Sequence, residues 1–356
     1  MEELVSSELI WRGRRVLVTG HTGFKGSWLC HWLLAEGAKV TGYALAPNTQ
    51  PSLFHLLGLA GRLQHGEADV RDAAALAAAI ARAEPEVVFH LAAQPLVRRS
   101  YREPRETWET NVLGTVNILE AVRACPAVRA CVVVTSDKCY ENQEWLWGYR
   151  ENEALGGHDP YSASKGAAEL AVASWRRSFP VGARIASARA GNVIGGGDWC
   201  DDRIVTDFVK AILAGQPLRL RHPKATRPWQ HVLEPLSGYL QLADRLCKPD
   251  GDRFAEAWNF GPAETSVTSV ETLARALIAA WGAGTVEVEA AANRVHEAGL
   301  LKLDCAKAAT RLDWRGRWGM AETVQRTAHW YRDLAAGADA RRLVDADLAA
   351  YLAVGG

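Results

Sequence analysis

Apolar and polar positions alternate in two rhythms through the first half of the chain. Short apolar runs of strand length recur: RRVLVTG (14–20), KVTGYA (39–44), LQHGEADV (63–70), EVVFHLAA (86–93), RACVVVTS (129–136) and RIASARA (184–190). Between them lie stretches with helical spacing. These predict helices over Phe24–Glu36, ended by Gly37, over 72–83 with Asp72 as N-cap, over Pro104–Val122 and over Tyr161–Arg177. Strands apolar on both faces, each followed by a helix, predict an α/β fold. The expected form is a Rossmann-type doubly wound parallel sheet with helices on both sides. Ligands of such sheets bind beyond the C-terminal strand ends.

After about residue 190 the alternation loosens. A glycine-rich loop, GGGDW (195–199), leads to a helix over 203–214. Strands near 218–221 and 257–260 and helices near 234–247, 268–282 and 321–335 follow. The expected division is a sheet domain over 1–190, with some later segments returning to it. A smaller, discontinuous C-terminal substrate-binding region covers 191–335, and a peripheral tail covers 336–356.

Composition narrows the function. Lys+Arg and Asp+Glu number 41 each in 356 residues, so net charge supplies no general drive toward nucleic acid or an anionic membrane. Seven cysteines are scattered without a CxxC pair or zinc-ligand spacing, so no metal site is expected and reduced thiols fit best. The opening MEELVSSELIW does not read as a signal peptide. No apolar run approaches the ~20 residues needed to span a bilayer. A cytoplasmic protein is expected.

The chemistry gathers at strand ends. Thr19-Gly20-His21-Thr22-Gly23-Phe24-Lys25-Gly26 lies between the first strand and the first helix. Glycine there lets the backbone turn tightly and approach a pyrophosphate, which the helix N-terminus favours. An acidic residue is expected about 20 residues on, to hold a ribose. After Tyr43 come Ala44, Leu45, Ala46 and Pro47 instead, and no arginine stands in to hold a 2′-phosphate. NAD is therefore favoured over NADP by the lack of a cation.

Tyr161-Ser162-Ala163-Ser164-Lys165 is a YxxxK pair on one helical face. The lysine is expected to favour the phenolate. Bringing a tyrosine from pKa ~10 to near 7 needs roughly 4 kcal/mol, to come from Lys165 and a cationic nicotinamide together. The fifth strand ends Thr135-Ser136-Asp137-Lys138, where Ser136 would hydrogen-bond a reacting sugar oxygen. Elimination of water needs an acid for the leaving hydroxyl and a base for a carbon-bound proton. Asp137 and Lys138 are the candidates. Lys138, with an ordinary pKa near ~10.4, needs desolvation and nearby positive charge to act as a base. Which of the two carries the proton at each step stays open.

The GxxGxxG spacing and YxxxK together resemble the extended short-chain dehydrogenase/reductase family. TSDKCYEN resembles its CDP-glucose 4,6-dehydratase branch, where dTDP-glucose enzymes have Asp-Glu in place of Asp-Lys. The resemblance runs from Trp11 to about Tyr331. It implies NAD as cofactor, held by Gly20, Thr22, Gly23, Phe24, Lys25, Gly26, Asp69, Val70, Leu91, Ala92, Ala93, Tyr161 and Lys165. It implies Ser136, Asp137, Lys138, Tyr161 and Lys165 as catalytic residues. Gln94, Asn192, Arg203, Arg227 and Asn259 are implied as contacts of CDP-glucose. Asn111 matches the family's TNVxGT segment, and His296-Glu297 precede LLKLD as they do there. A homodimer through helices 104–122 and 161–177 is implied, with a product that feeds bacterial surface dideoxysugars. An epimerase of the same fold would keep Tyr161 and Lys165 without needing Asp137 or Lys138. A non-catalytic NAD-sensing protein would tend to lose Tyr161 or Lys165.

Overall fold

The structure, a computed structural model, describes residues 10–179, 182–263, 266–288 and 299–354. His296 and Glu297 lie outside the described residues.

The central sheet has seven parallel strands: β1 Arg15–Thr19, β2 Lys39–Ala44, β3 Gln64–Glu67, β4 Val87–His90, β5 Ala130–Val134, β6 Arg184–Ala190 and β7 Ala257–Phe260. Their order is β7-β6-β5-β4-β1-β2-β3. The chain builds outward from β1 to β3, then crosses back so that β4 pairs on the other side of β1. That reversal opens a crevice at the C-terminal ends of β1 and β4, where such sheets bind dinucleotides. Val16–Val18, Val87–Phe89 and Ala130–Val133 are all buried. Separate apolar clusters pack around the two sets of side chains the strands project, which is the doubly wound arrangement the sequence predicts.

The flanking helices include α1 Phe24–Ala35, α2 Ala73–Ala83, α3 Gly114–Ala124, α4 Pro160–Ser178, α5 Ile204–Leu213, α6 Leu233–Cys247, α7 Val270–Trp281, α8 Met320–Ala335 and α9 Ala340–Ala353. Asp72 caps α2 by accepting from Ala75 N at 2.9 Å, as expected. Gly37, with φ +80°, follows the end of α1. Asp159 caps α4, ahead of Pro160 in its first turn, and fixes where the YxxxK helix begins.

The structure adds detail to three expectations. The long helix over 104–122 is a short helix Pro104–Trp108, a wide π turn Glu109–Leu113, and then α3. The π turn holds Asn111, whose amide bonds Gln94 across 17 positions of sequence. Later segments return to the sheet, as expected: α6 packs on β5 and β6, and β7 completes the sheet. The tail is not peripheral. In α9, Val344, Leu348 and Tyr351 enter the main core, Tyr351 donates to Glu234, and Asp345 bonds His31 of α1 at 2.6 Å. An alanine-rich helix hides its buried stripe from a reading by composition.

Candidate active site

The glycine turn closes the crevice. Gly20 has φ +72°, and a Cβ there would lie 2.7 Å from Ala92 N; a Cβ at Gly26 would lie 2.1 Å from Gly20 O. Only glycine lets the turn press against both the end of β4 and the start of α1. Gly23, the N-cap, supplies no side chain to the first turn of α1, so its N–H groups are left for a ligand. Thr22 Oγ1 donates to Leu45 O at 2.8 Å and ties the turn to the end of β2. This cradle fits the pyrophosphate of a dinucleotide. Beneath it, His21 packs so tightly on Gly42 that a Cβ there would overlap its ring, and His21 Nε2 lies 2.8 Å from His65 Nδ1.

One cavity of about 560 Å³ runs from this turn across the strand ends. Every residue expected to hold the cofactor lines it, as do all five expected catalytic residues. At the far end Asp69 binds Arg71 (Oδ2 to Nη2, 2.6 Å), which holds its carboxyl low. Where the ribose-binding acid is missing, Ala44, Leu45, Ala46 and Asn48 form the wall. Asn48 was not singled out in the sequence, because a loop asparagine carries no signal of what it faces.

Tyr161 and Lys165 both sit buried on one face of α4. Their electrostatics differ from expectation. Burial pushes Tyr161 up to about 12; a hydrogen bond with Ser136 and the charge of Arg203 pull it down, while Asp137 and Asp159 push it up. Lys165 is not among its main influences. Burial lowers Lys165 to about 8 against the pull of Glu169, and its Nζ donates to Val134 O at 3.4 Å. The protein groups alone thus favour the protonated phenol, because desolvation outweighs the Ser136 hydrogen bond and the charge of Arg203.

Ser136 caps a single 3₁₀ turn, Asp137–Cys139, by accepting from Lys138 N. It donates to Asp137 Oδ1 at 2.9 Å, and Asp137 Oδ2 is buried with no hydrogen-bond partner. Burial raises the Asp137 pKa, opposed by Lys138, the Ser136 hydrogen bond, Arg227 and Lys25. A carboxyl held toward its protonated form suits proton donation to a leaving hydroxyl. Lys138 is half-buried and lines the same cavity.

A polar network supports this turn from below. Arg189 of β6 pairs with Glu169 of α4 at 2.8 Å, both almost fully buried. Glu169 also accepts from Thr135 and Ser187, and Arg189 donates to Tyr140 Oη at 2.7 Å. Tyr140 in turn donates to Asn259 Oδ1 at 2.8 Å. Asn259 is fully buried, and its amide also donates to Tyr149 O and Asp304 O. It does not line the cavity, so the expected substrate contact is a structural tie behind the catalytic turn. Gln94 borders the cavity, but its side chain is committed to Leu96 and Thr107. Asn111 is likewise spent on Gln94 and Ser164.

Asn192, Arg203 and Arg227 line the opposite wall. Arg203 pairs with Asp198 at 2.9 Å, and Arg227 donates to Thr226 O and Gly299 O. Arg98, Arg219, Arg221 and His222 join them. These four escape sequence reasoning because they come from two separated segments, a short helix at Val97–Arg102 and the stretch 219–222, with no shared motif. Arg98 and Arg221 both reach Asp202, at 3.3 and 2.8 Å. A wall this rich in guanidinium groups suits a diphosphate. Among the described residues, no group of three His, Cys, Asp or Glu side chains could hold a metal, and no helix is long and apolar enough to cross a membrane.

Comparison with known proteins follows the same lines. The family described as GDP-mannose 4,6 dehydratase matches residues 17–327. The chain is 48% identical over 336 residues to a CDP-glucose 4,6-dehydratase of Salmonella typhimurium, covering 92% of this chain and 93% of that protein. It is 32% identical to a dTDP-glucose 4,6-dehydratase of Streptomyces antibioticus, covering 89% and 92%. Among solved structures, a dTDP-glucose 4,6-dehydratase of Streptomyces venezuelae with NAD bound superposes with a TM-score of 0.79 at 25% identity, covering 92% of this chain and 99% of that one.

Proposed function

The chain belongs to the GDP-mannose 4,6-dehydratase family, and on that premise we propose that it converts CDP-glucose to CDP-4-dehydro-6-deoxyglucose and water with NAD as cofactor. One observation carries the reading. Tyr161, Lys165, Ser136, Asp137 and Lys138 line the same cavity as the glycine turn. An epimerase needs the first two; the elimination of water gives work to Asp137 and Lys138.

Bound NAD supplies the oxidant at sugar carbon 4, the reductant later needed at carbon 6, and the positive ring charge that favours the Tyr161 phenolate. Tyr161 takes the proton of the 4-hydroxyl, and Ser136 hydrogen-bonds the same oxygen. Lys165 orients the cofactor side of the pocket. The 4-keto group acidifies the carbon-5 proton, which Lys138 removes. Asp137, raised by burial, protonates the 6-hydroxyl as it leaves as water. Lys138 then returns its proton to carbon 5, and the proton that Tyr161 took replaces the one Asp137 gave to water, so both groups regain their starting states. Arg203, Arg227 and Asn192 hold the nucleotide diphosphate.

Two helical surfaces support a homodimer. Trp108, Leu113, Leu170 and Phe179 are 41, 54, 59 and 42% exposed along the 104–124 segment and α4. Such apolar groups on adjacent helices suit a second copy of the same face. A cytoplasmic enzyme supplying 4-keto-6-deoxy sugars to surface-polysaccharide synthesis fits this reading.

The test is turnover of CDP-, dTDP- and GDP-glucose, followed by the alkali-induced absorbance of a 4-keto sugar. CDP-glucose carrying deuterium at carbon 4 is expected to yield product labelled at carbon 6. Label retained at carbon 4, or product epimerised without water loss, would overturn the dehydratase reading.

A further inference from the structure

Two arginines from distant parts of the chain meet on one carboxylate at the rim of the cavity. Arg98 belongs to the short helix Val97–Arg102 that follows β4, and Arg221 follows the short strand Leu218–Leu220. Between them stands Asp202, in the loop that enters α5. Its Oδ1 accepts from Arg98 Nη1 at 3.3 Å and from Arg221 Nη1 at 2.8 Å. Asp207 of α5 holds Arg221 a second time, at 3.6 Å. All four residues line the cavity, yet the Arg98, Asp202 and Arg221 side chains are 38, 34 and 31% exposed. Groups that face both the cavity and water stand at its mouth, not on its floor.

The backbone is bent to make this contact. Asp202 has φ +59°, a left-handed conformation that, glycine aside, few residues other than Asn and Asp adopt. A sparsely populated conformation held in place at a ligand cavity points to a role for the side chain it presents. Without the carboxylate, two guanidinium groups would face each other across the mouth with nothing to offset their repulsion.

We propose that Asp202 is a positioning residue: with Arg98 and Arg221 it forms an ionic clasp that joins the sheet side of the mouth to the C-terminal side and slows the escape of a bound nucleotide sugar. This rests on reading the cavity as a nucleotide-sugar site. In the proposed cycle the cofactor stays reduced from the oxidation of carbon 4 until hydride returns to carbon 6. A keto sugar that left in that interval would strand the cofactor in its reduced form. The clasp keeps the sugar in place until the hydride has returned.

The experiment follows release of radiolabelled CDP from the NAD-loaded protein, chased with unlabelled CDP. Asp202→Asn, which suits the same backbone, is expected to speed release by about three- to tenfold, the range open to ion pairs a third exposed. Arg98→Gln should do the same, and the double variant little more, because either change opens one clasp. Raising salt should speed release from the wild type more than from Asp202→Asn. Asp201→Asn removes the neighbouring charge, which pairs with Lys210 and does not line the cavity; it should leave the rate as it was. With CDP-glucose as substrate, Asp202→Asn should build up the near-ultraviolet band of reduced cofactor over successive turnovers and release a 4-keto sugar that keeps its 6-hydroxyl. CDP released no faster from Asp202→Asn, or held more tightly because the freed arginines turn to its phosphates, overturns the proposal and leaves the dehydratase reading standing. So do single effects that simply add in the double variant, or an equal effect of Asp201→Asn. Wild-type protein that binds no CDP overturns both.

Discussion

At the scale of the residue, burial sets the chemistry more than pairing does. Tyr161, Lys165 and Asp137 are each displaced first by loss of water and only then by neighbouring charge. All three are held toward their neutral forms, so an arriving cation or diphosphate acts on groups near a change of state. Two substitutions separate the proposed steps. Tyr161→Phe should lower kcat by about 10²–10⁴-fold while NADH binding persists, since only the acceptor of the 4-hydroxyl proton is lost. Asp137→Asn should instead slow the loss of water after oxidation, so that the near-ultraviolet band of reduced cofactor accumulates in a single turnover. If both variants stall before any reduced cofactor forms, Asp137 does not act at the elimination.

At the scale of the element, the catalytic turn after β5 depends on a charge pair that never meets the substrate. Arg189 on β6 and Glu169 on α4 are locked together beneath it, with Thr135, Ser187 and Tyr140 filling their remaining bonds. Removing one partner strands the other. Arg189→Met should cost roughly 3–5 kcal/mol in urea denaturation, and adding Glu169→Gln should recover part of it. No recovery in the double variant would mean that the pair acts through packing alone. The same network explains Asn259: β7 brings it to the end of the sheet, where Tyr140, Tyr149 and Asp304 use it fully. Its motif, WNFGP, read as a substrate contact because a polar residue at a strand end can face either the cavity or the structure behind it.

At the scale of the whole molecule, Trp108, Leu113, Leu170 and Phe179 are exposed apolar side chains along two adjacent helical segments. If a second copy covers that face, Leu170→Glu should shift sedimentation from dimer to monomer. Leu352→Glu, at an exposed leucine of α9, should leave the assembly as it was. A dimer indifferent to Leu170→Glu would place the interface elsewhere.

The sequence by itself determined the alternating strands and helices, the placement of the glycine turn, and the YxxxK and Ser-Asp-Lys segments at strand ends. These are local matters: periodicity, backbone freedom and spacing along one helix face need no knowledge of distant contacts. Only the tertiary structure decided that α9 is core rather than tail, that Gln94, Asn111 and Asn259 spend their side chains on the scaffold, and that the glycine turn and the residues of the Tyr161 and Asp137 segments border one cavity. It also showed that the protein's own groups, burial first, raise the Tyr161 phenol. The physical reason is common to all of these. Desolvation and hydrogen-bond satisfaction depend on what surrounds a group in space, and the crossover between β3 and β4 brings together residues that lie far apart along the chain.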